Sequence, residues 1–255
     1  MRWPLRLLCR VMLIVTLVSC HSARWSDRNT AEEDSAFQRR LQNRDPEAMY
    51  QMGFFYFAKP GLVRYSNGQP VRQEDRNYGG ALTWFTRAAE AGHVEAMIQT
   101  ANLYSQGMGR VPQDLSAAVY WYSRAFERGE RNYSPFWLGE YHMRGVGGLR
   151  QDFTKAFYFF NNSYGPYPLE SLLARTETST DEIPIKTRFA IYGASALRRI
   201  SLFYRCGWSV QVDVAKADRI ISQCAAYLDN PWCQRDLQRG APRCQVPSAD
   251  EKLDD

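Results

Sequence analysis

The chain has 255 residues, 45% hydrophobic and 14% aromatic, enough for one domain or one short repeat array with a real core, and too apolar for an intrinsically disordered chain. Its formal net charge is +5, and removing Arg2, Arg6 and Arg10 with an N-terminal segment read below as cleaved leaves +2. A charge that small, without a Lys/Arg cluster, argues against nucleic acid or an anionic surface as partner.

Arg2, Arg6 and Arg10 precede the apolar run Val11–Val18, a charged n-region followed by an h-region of signal-peptide length. A permanent membrane span needs about 20 apolar residues, more than this run offers. The run closes in Leu17-Val18-Ser19-Cys20, which resembles the bacterial lipoprotein box. That resemblance implies cleavage after residue 19, lipidation of Cys20 and a stable anchor of two or three acyl chains. The alternative is an ordinary signal peptide with a coincidental cysteine. His21 stands where an Asp would retain an enteric lipoprotein in the inner membrane, so the resemblance points to the outer membrane, facing the periplasm. Residues 20–44 read as a polar tether and a lead-in helix. Thr30-x-x-Glu33 forms a capping box there, Glu32-Glu33-Asp34 a solvated helix start, and Ala36, Phe37 and Leu41 an apolar edge.

Residues 45–165 read as three helix-turn-helix repeats. Asp45-Pro46 opens the first as an N-cap and a proline at the first helical position. Its first helix ends at Lys59-Pro60-Gly61, and its second spans about residues 77–91. In the next repeat a helix over 94–106 meets the turn Gly107-Met108-Gly109, and Asp114 caps a helix ending near Gly129. The third repeat predicts a helix over 135–144, a turn at 145–148, and a helix from the Asp152 cap to about Asn162. Ala81-x-x-Trp84-Phe85-x-Arg87-Ala88 and Ala118-x-x-Trp121-Tyr122-x-Arg124-Ala125 are one pattern offset by 37 residues. A repeat of that length indicates a helical solenoid. Residues 166–245 hold an insertion and a degenerate fourth copy, Tyr204-x-x-Gly207 before Asp213-x-x-Lys216-Ala217. Residues 246–255 read as an acidic, disordered tail.

Leu138-Gly139, Tyr104-x-x-Gly107-x-Gly109, Asp152-x-x-Lys155-Ala156 and Arg87-Ala88 together resemble Sel-one-like repeats, relatives of tetratricopeptide repeats. The resemblance implies an all-α fold, a right-handed α-solenoid of helix-turn-helix repeats. Lys59 departs from it by replacing a turn glycine, and His142 by replacing a tyrosine. The aromatics Trp84, Phe85, Trp121, Tyr122, Phe159 and Phe160 read as filler between hairpins.

Of six cysteines, Cys9 leaves with the signal peptide and Cys20 is the lipid site, which leaves Cys206, Cys224, Cys233 and Cys244. An even, clustered set in an oxidising compartment predicts two disulfides, with three pairings open. A zinc site is the weaker alternative, because no C-x-x-C occurs and no His is near. Relatives with cysteine-rich repeats bridge a helix end to the next helix start at similar spacing. That resemblance favours Cys224–Cys233, leaving Cys206–Cys244.

No triad order, Walker loop, H-E-x-x-H or paired-carboxylate motif occurs, so neither an enzyme nor a cofactor nor a metal is expected. His93 reads as a surface loop residue and His142 as a packed or groove-lining ring. Arg39-Arg40 and Arg198-Arg199 read as solvated helix faces. In the family, first helices line the concave face, which places Gln51, Gln99, Asn102, Glu140 and His142 as candidate partner contacts. A second candidate surface is the pair of insertions, Gly61–Arg76 and Gly165–Ile185, the latter with Tyr167 and Leu169. The expected function is non-enzymatic binding of a protein partner, as envelope adaptor or regulator. The alternative that the resemblance implies is an immunity protein against a type six secretion effector such as a periplasmic phospholipase.

Overall fold

From residue 45 to Asp152, the turns described end in a side chain that opens the next helix, and the repeats follow from that. The structure is a computed structural model that describes residues 35–57, 77–163, 169, 189–228, 231–240 and 244–246. Residues 35–42 form the lead-in helix, α1. Arg44 then takes a left-handed conformation (φ 55°), and the Asp45 carboxylate accepts the Ala48 N–H at 2.8 Å, opening α2 (Pro46–Phe57). The same step recurs twice. Gly92 (φ 97°) precedes His93, whose Nδ1 accepts the Ala96 N–H at 3.2 Å and opens α4 (Val94–Gln106). Gly129 (φ 94°) precedes Glu130, whose carboxylate accepts the N–H groups of Asn132, Tyr133 and Ser134 at 2.7, 2.9 and 2.6 Å.

That threefold cap explains why α6 (Tyr133–Arg144) starts two residues before Pro135, where the sequence reading placed it. Proline is tolerated in a first helical turn, because its missing N–H would have had no intrahelical partner there. His93 is accordingly a helix cap with a side chain only 12% exposed, not a surface loop residue.

The second helices are α3 (Tyr78–Glu90), α5 (Leu115–Glu127) and α7 (Phe153–Asn161), capped by Asn77, Asp114 and Asp152. The turn geometry into α5 and α7 is shared. Gly107 and Gly145 are left-handed, at φ 62° and 70°. The N–H of Asp114 donates to the Tyr104 carbonyl and that of Asp152 to the His142 carbonyl, at 2.9 and 2.8 Å. The final pair, α8 (Phe189–Cys206) and α9 (Val214–Leu228), repeats it: Gly207 has φ 71°, and Asp213 N–H meets the Tyr204 carbonyl at 2.8 Å. A last helix, α10 (Pro231–Arg239), follows.

Consecutive helices pack on one another throughout, and α8 also rests on α6 and α7. Ala81, Ala118, Ala156 and Ala217 are fully buried where second helices meet first helices. One turn later stand Phe85, Tyr122, Phe160 and Ile221, all buried. Disulfides Cys224–Cys233 (α9 to α10) and Cys206–Cys244 close the C-terminal end, with Cα separations of 5.8 and 5.6 Å. Each bridge contributes about 2–4 kcal/mol, a gain concentrated where the array has no further neighbour to bury its face. Disulfides of this kind belong to an oxidising, extracytoplasmic location. Among the described residues no helix is long and apolar enough to cross a membrane. Residues 1–34, with the signal peptide, Cys20 and most of the tether, lie outside the described residues. So do the Lys59-Pro60-Gly61 turn, the loop at 61–76, the tail from 247, and the insertion apart from Leu169.

Replacing Glu130 by Ala strips three backbone donors of their acceptor. A loss of about 1–2 kcal/mol is expected in urea denaturation. Glu130→Gln, which keeps one acceptor oxygen, should lose less.

Candidate functional site

Counted back from Tyr56, Tyr104, His142 and Tyr204, the first helices share a register. Five residues before these stand Gln51, Gln99, Trp137 and Arg199, and two residues before stand Phe54, Asn102, Glu140 and Leu202. The candidate residues therefore fall on two rows, and their surroundings differ.

Asn102 and Glu140 occupy one row and both face inward. The Tyr122 hydroxyl donates to Asn102 Oδ1 at 2.7 Å. Glu140 is fully buried; Arg199 Nε and Nη2 donate to its two oxygens at 2.5 and 3.2 Å, and Arg144 Nε donates at 3.2 Å. Glu140 thus ties α6 to α8 and is not an open partner contact. Its row allowed a surface position, but two guanidiniums take up all its charge inside. Arg198 and Arg199 are likewise not a solvated face. Arg198 makes a two-point ion pair with Asp236 on α10, at 2.6 and 3.2 Å. Both stand among Ala194, Leu197, Ile200 and Phe203, all buried.

Around Asn102 lies a cluster of rings of which the sequence reading assigned only Tyr122, as filler. Tyr122 is stacked with Trp137 (6.4 Å) and lies 6.0 Å from Tyr133, which meets Tyr192 of α8 at 4.4 Å. Burial drives the Tyr122 and Tyr133 hydroxyls well above their ordinary range and that of Tyr141 up to about 12. The hydroxyls stay neutral and serve as hydrogen-bonding filler. Leu169 is also buried, packed into the core with Phe136, Phe160 and Ala194, and so offers a partner nothing. Tyr167 lies outside the described residues. Gln51 is exposed, holding only Glu47 at 2.9 Å, and Gln99 is half-buried. These two are the candidates that reach the surface of the first helices, beside the exposed rings of Phe54 and Phe55. Among the described residues no three His, Cys, Asp or Glu side chains gather into a metal site.

The Sel1 repeat family profile matches residues 46–93, 94–130 and 136–163, with breaks at the His93 and Glu130 caps. Residues 46–163 thus carry three matches to the Sel1 repeat. A Sel1 repeat protein from Oxalobacter formigenes is similar in structure over 72% of this chain and 59% of its own, at 20% identity and a TM-score of 0.50. The antigen c5321, described as a protective antigen of uropathogenic Escherichia coli with an SLR fold, aligns over 84% of this chain and 45% of its own, at 20% identity and a TM-score of 0.44. A Sel1 repeat protein from Klebsiella pneumoniae subsp. pneumoniae aligns over 81% and 82%, at 17% identity and a TM-score of 0.43. The chain thus spans 59% and 45% of the lengths of the first two. No curated protein matches the sequence.

Within the Sel1 array His142 is buried and stacked on Phe159, with centroids 5.4 Å apart and planes 10° from parallel. Its Nδ1 has no hydrogen-bond partner among the described residues. Burial, then the positive Lys155, lowers its pKa, while Asp152 opposes them. His142 is therefore a packed neutral ring, one of the two roles its place in the repeat allowed.

Two predictions follow from these interior groups. Glu140→Ala leaves Arg144 buried without its carboxylate, so a loss of about 3–5 kcal/mol is expected in denaturant titration. Arg199→Ala added to that variant should cost much less than it does alone, the mark of coupling in a double-mutant cycle. For His142, the folded state binds fewer protons than the unfolded chain near and below the ordinary imidazole value of 6.5, so stability rises with pH through that window and falls on acidification. Thermal midpoints from about pH 5 to 8 should show that slope, and His142→Phe should flatten it. The lowered carboxyls of Asp45, bonded to Arg40, and Glu47, bonded to His93, titrate below their ordinary 3.8 and 4.5, outside that window.

Proposed function

We propose that the chain is a lipid-anchored, periplasm-facing protein that binds a protein partner through the surface of its Sel1 array, as an envelope adaptor or regulator, without turnover. The observation that carries this reading is the run of stacked helix pairs closed by two disulfides. Such an array presents long helical surfaces and suits an oxidising compartment. Its most polar buried groups, Glu140 and the tyrosine hydroxyls, are taken up by internal partners. Gln51 and Gln99 remain the first-helix residues best placed for a partner. Cys20 supplies the anchor in this reading, and no cofactor, metal or nucleic acid takes part.

A second reading is an immunity protein that neutralises a type six secretion effector such as a periplasmic phospholipase. The long break before the last helix pair favours it, because Ala156 and Ala217 stand 61 residues apart against 37 and 38 between earlier units. Such a departure suits one dedicated partner.

In-cell crosslinking from Gln51 and Gln99 should trap a discrete envelope or secreted protein, and Cys20→Ser should move the chain out of the membrane fraction. Turnover of a lipid or peptidoglycan substrate by the purified chain would overturn the binding reading. A trapped lipase, encoded beside this chain, would select immunity over the adaptor.

A further inference from the structure

We propose that the face formed by α5, the α5–α6 turn and α7 docks an acidic segment of the protein partner, an inference that rests on the protein-binding reading above. Tyr120 and Tyr158 stand at one register on α5 and α7, two residues after Ala118 and Ala156, and are 51% and 54% exposed. Phe126 lies between these helices, 6.3 Å from Tyr158 and 5.3 Å from Phe159. Two guanidiniums rest on these rings. Arg124 sits over Tyr120 at 5.8 Å and donates through Nη1 to the Tyr120 hydroxyl at 3.2 Å. Arg131 sits over Phe126 at 4.2 Å and donates through Nη1 to the carbonyls of Phe126 and Glu130, at 2.6 and 3.0 Å.

Each guanidinium is thus held by one nitrogen and one face, while the edge bearing Nε and Nη2 has no acceptor among the described residues. Neither forms an ion pair among the described residues. The arginines of α8 behave otherwise: Arg198, Arg199 and Arg205 pair with Asp236, Glu140 and Asp218. Arg128, exposed at the end of α5, instead reaches toward Gly92 of the preceding turn. Of the acids nearby, Glu130 turns its carboxylate to three N–H groups and Glu127 is exposed, and among the described residues neither pairs with Arg124 or Arg131.

A pre-oriented guanidinium edge matches the two oxygens of a carboxylate, and its orientation is already fixed before binding. Exposed Tyr beside Arg is the composition that dominates interface energetics. Two pre-set guanidiniums fit a few acidic side chains and fall short of the run of phosphate contacts that nucleic acid requires.

The test uses the purified full-length chain and a short fluorescein-labelled peptide rich in Asp and Glu with interspersed Phe, followed by fluorescence anisotropy. Controls are the peptide with Lys in place of its acids and vesicles of phosphatidylglycerol. Saturable binding that weakens with salt is expected, with affinity falling about tenfold in the Arg124→Ala, Arg131→Ala pair. Lysines at both positions should recover only part of it, because they keep charge without the fork. Tyr158→Ala removes an exposed ring alone and should weaken binding while leaving the melting temperature unchanged. Absence of binding to the acidic peptide overturns the proposal. So does equal binding of the Lys peptide, preferential capture by the vesicles, or wild-type affinity in both the arginine pair and Tyr158→Ala. Should crosslinking from Gln51 and Gln99 still trap a partner in the arginine pair at wild-type yield, the protein-binding reading stands and this surface falls.

Discussion

A bulky side chain laid against a small one sets the depth of the helix pairs, and the rest of the molecule depends on that contact. Phe85 lies on Gly53 and Phe160 on Gly139, so close that a β-carbon at either glycine would run into the ring. The two glycines fall at one register of the first helices, just as the two phenylalanines fall at one register of the second. Between them, Tyr122 fills the matching place in the middle unit beside buried Ala101. With the depth fixed, the buried alanines of the second helices bring the backbones together. Each pair is then left with an apolar edge that only its neighbour can cover. Stacking is a consequence of this local fit, and three overlapping clusters of buried residues run from Met49 to Cys233.

The joints between units are more polar than that core suggests. Asn102 and Glu140 share a register, yet one accepts a tyrosine hydroxyl and the other a pair of guanidiniums. Burying a carboxylate carries a desolvation cost of several kcal/mol, and two guanidiniums with direct hydrogen bonds offset it. Apolar packing would tolerate a range of approaches between α6 and α8; a two-point ion pair tolerates few. The last helix pair is therefore oriented by charge at α6 and fastened by disulfides at its far end. Both suit a unit whose own sequence departs furthest from the repeat.

Much of the architecture was legible because repeated physics leaves repeated residues. Asp45, Asn77, Asp114, Asp152 and Asp213 each accept an N–H at the start of a helix, and the sequence places the four aspartates as caps. The disulfide pairing favoured by resemblance to cysteine-rich relatives is the one the structure has. What escaped the sequence was long-range pairing. Nothing local to Glu140 announces Arg199, 59 positions away, or tells Arg198 from a solvated arginine until Asp236 stands opposite it. His93 escaped for a different reason, since capping by an imidazole nitrogen has no preferred residue signature. Its equivalence to Asp45 and Glu130 appears only once the left-handed residue before each is seen.

The division between spent and unspent charge then separates architecture from recognition. Polar residues in repeat positions are mostly consumed by the repeat itself: caps take Asp and Glu130, the α6–α8 joint takes Glu140 and Arg199, and tyrosine hydroxyls turn to Asn102. Arg124 and Arg131 are consumed on one side only. Their rings hold them still and their outer edges meet no carboxylate among the described residues. Gln51 and Gln99 share their row with Trp137 and Arg199, which the fold uses, whereas the two glutamines are left nearer the surface. On the proposed reading, a partner meets the array through such groups, positioned but not satisfied by the fold.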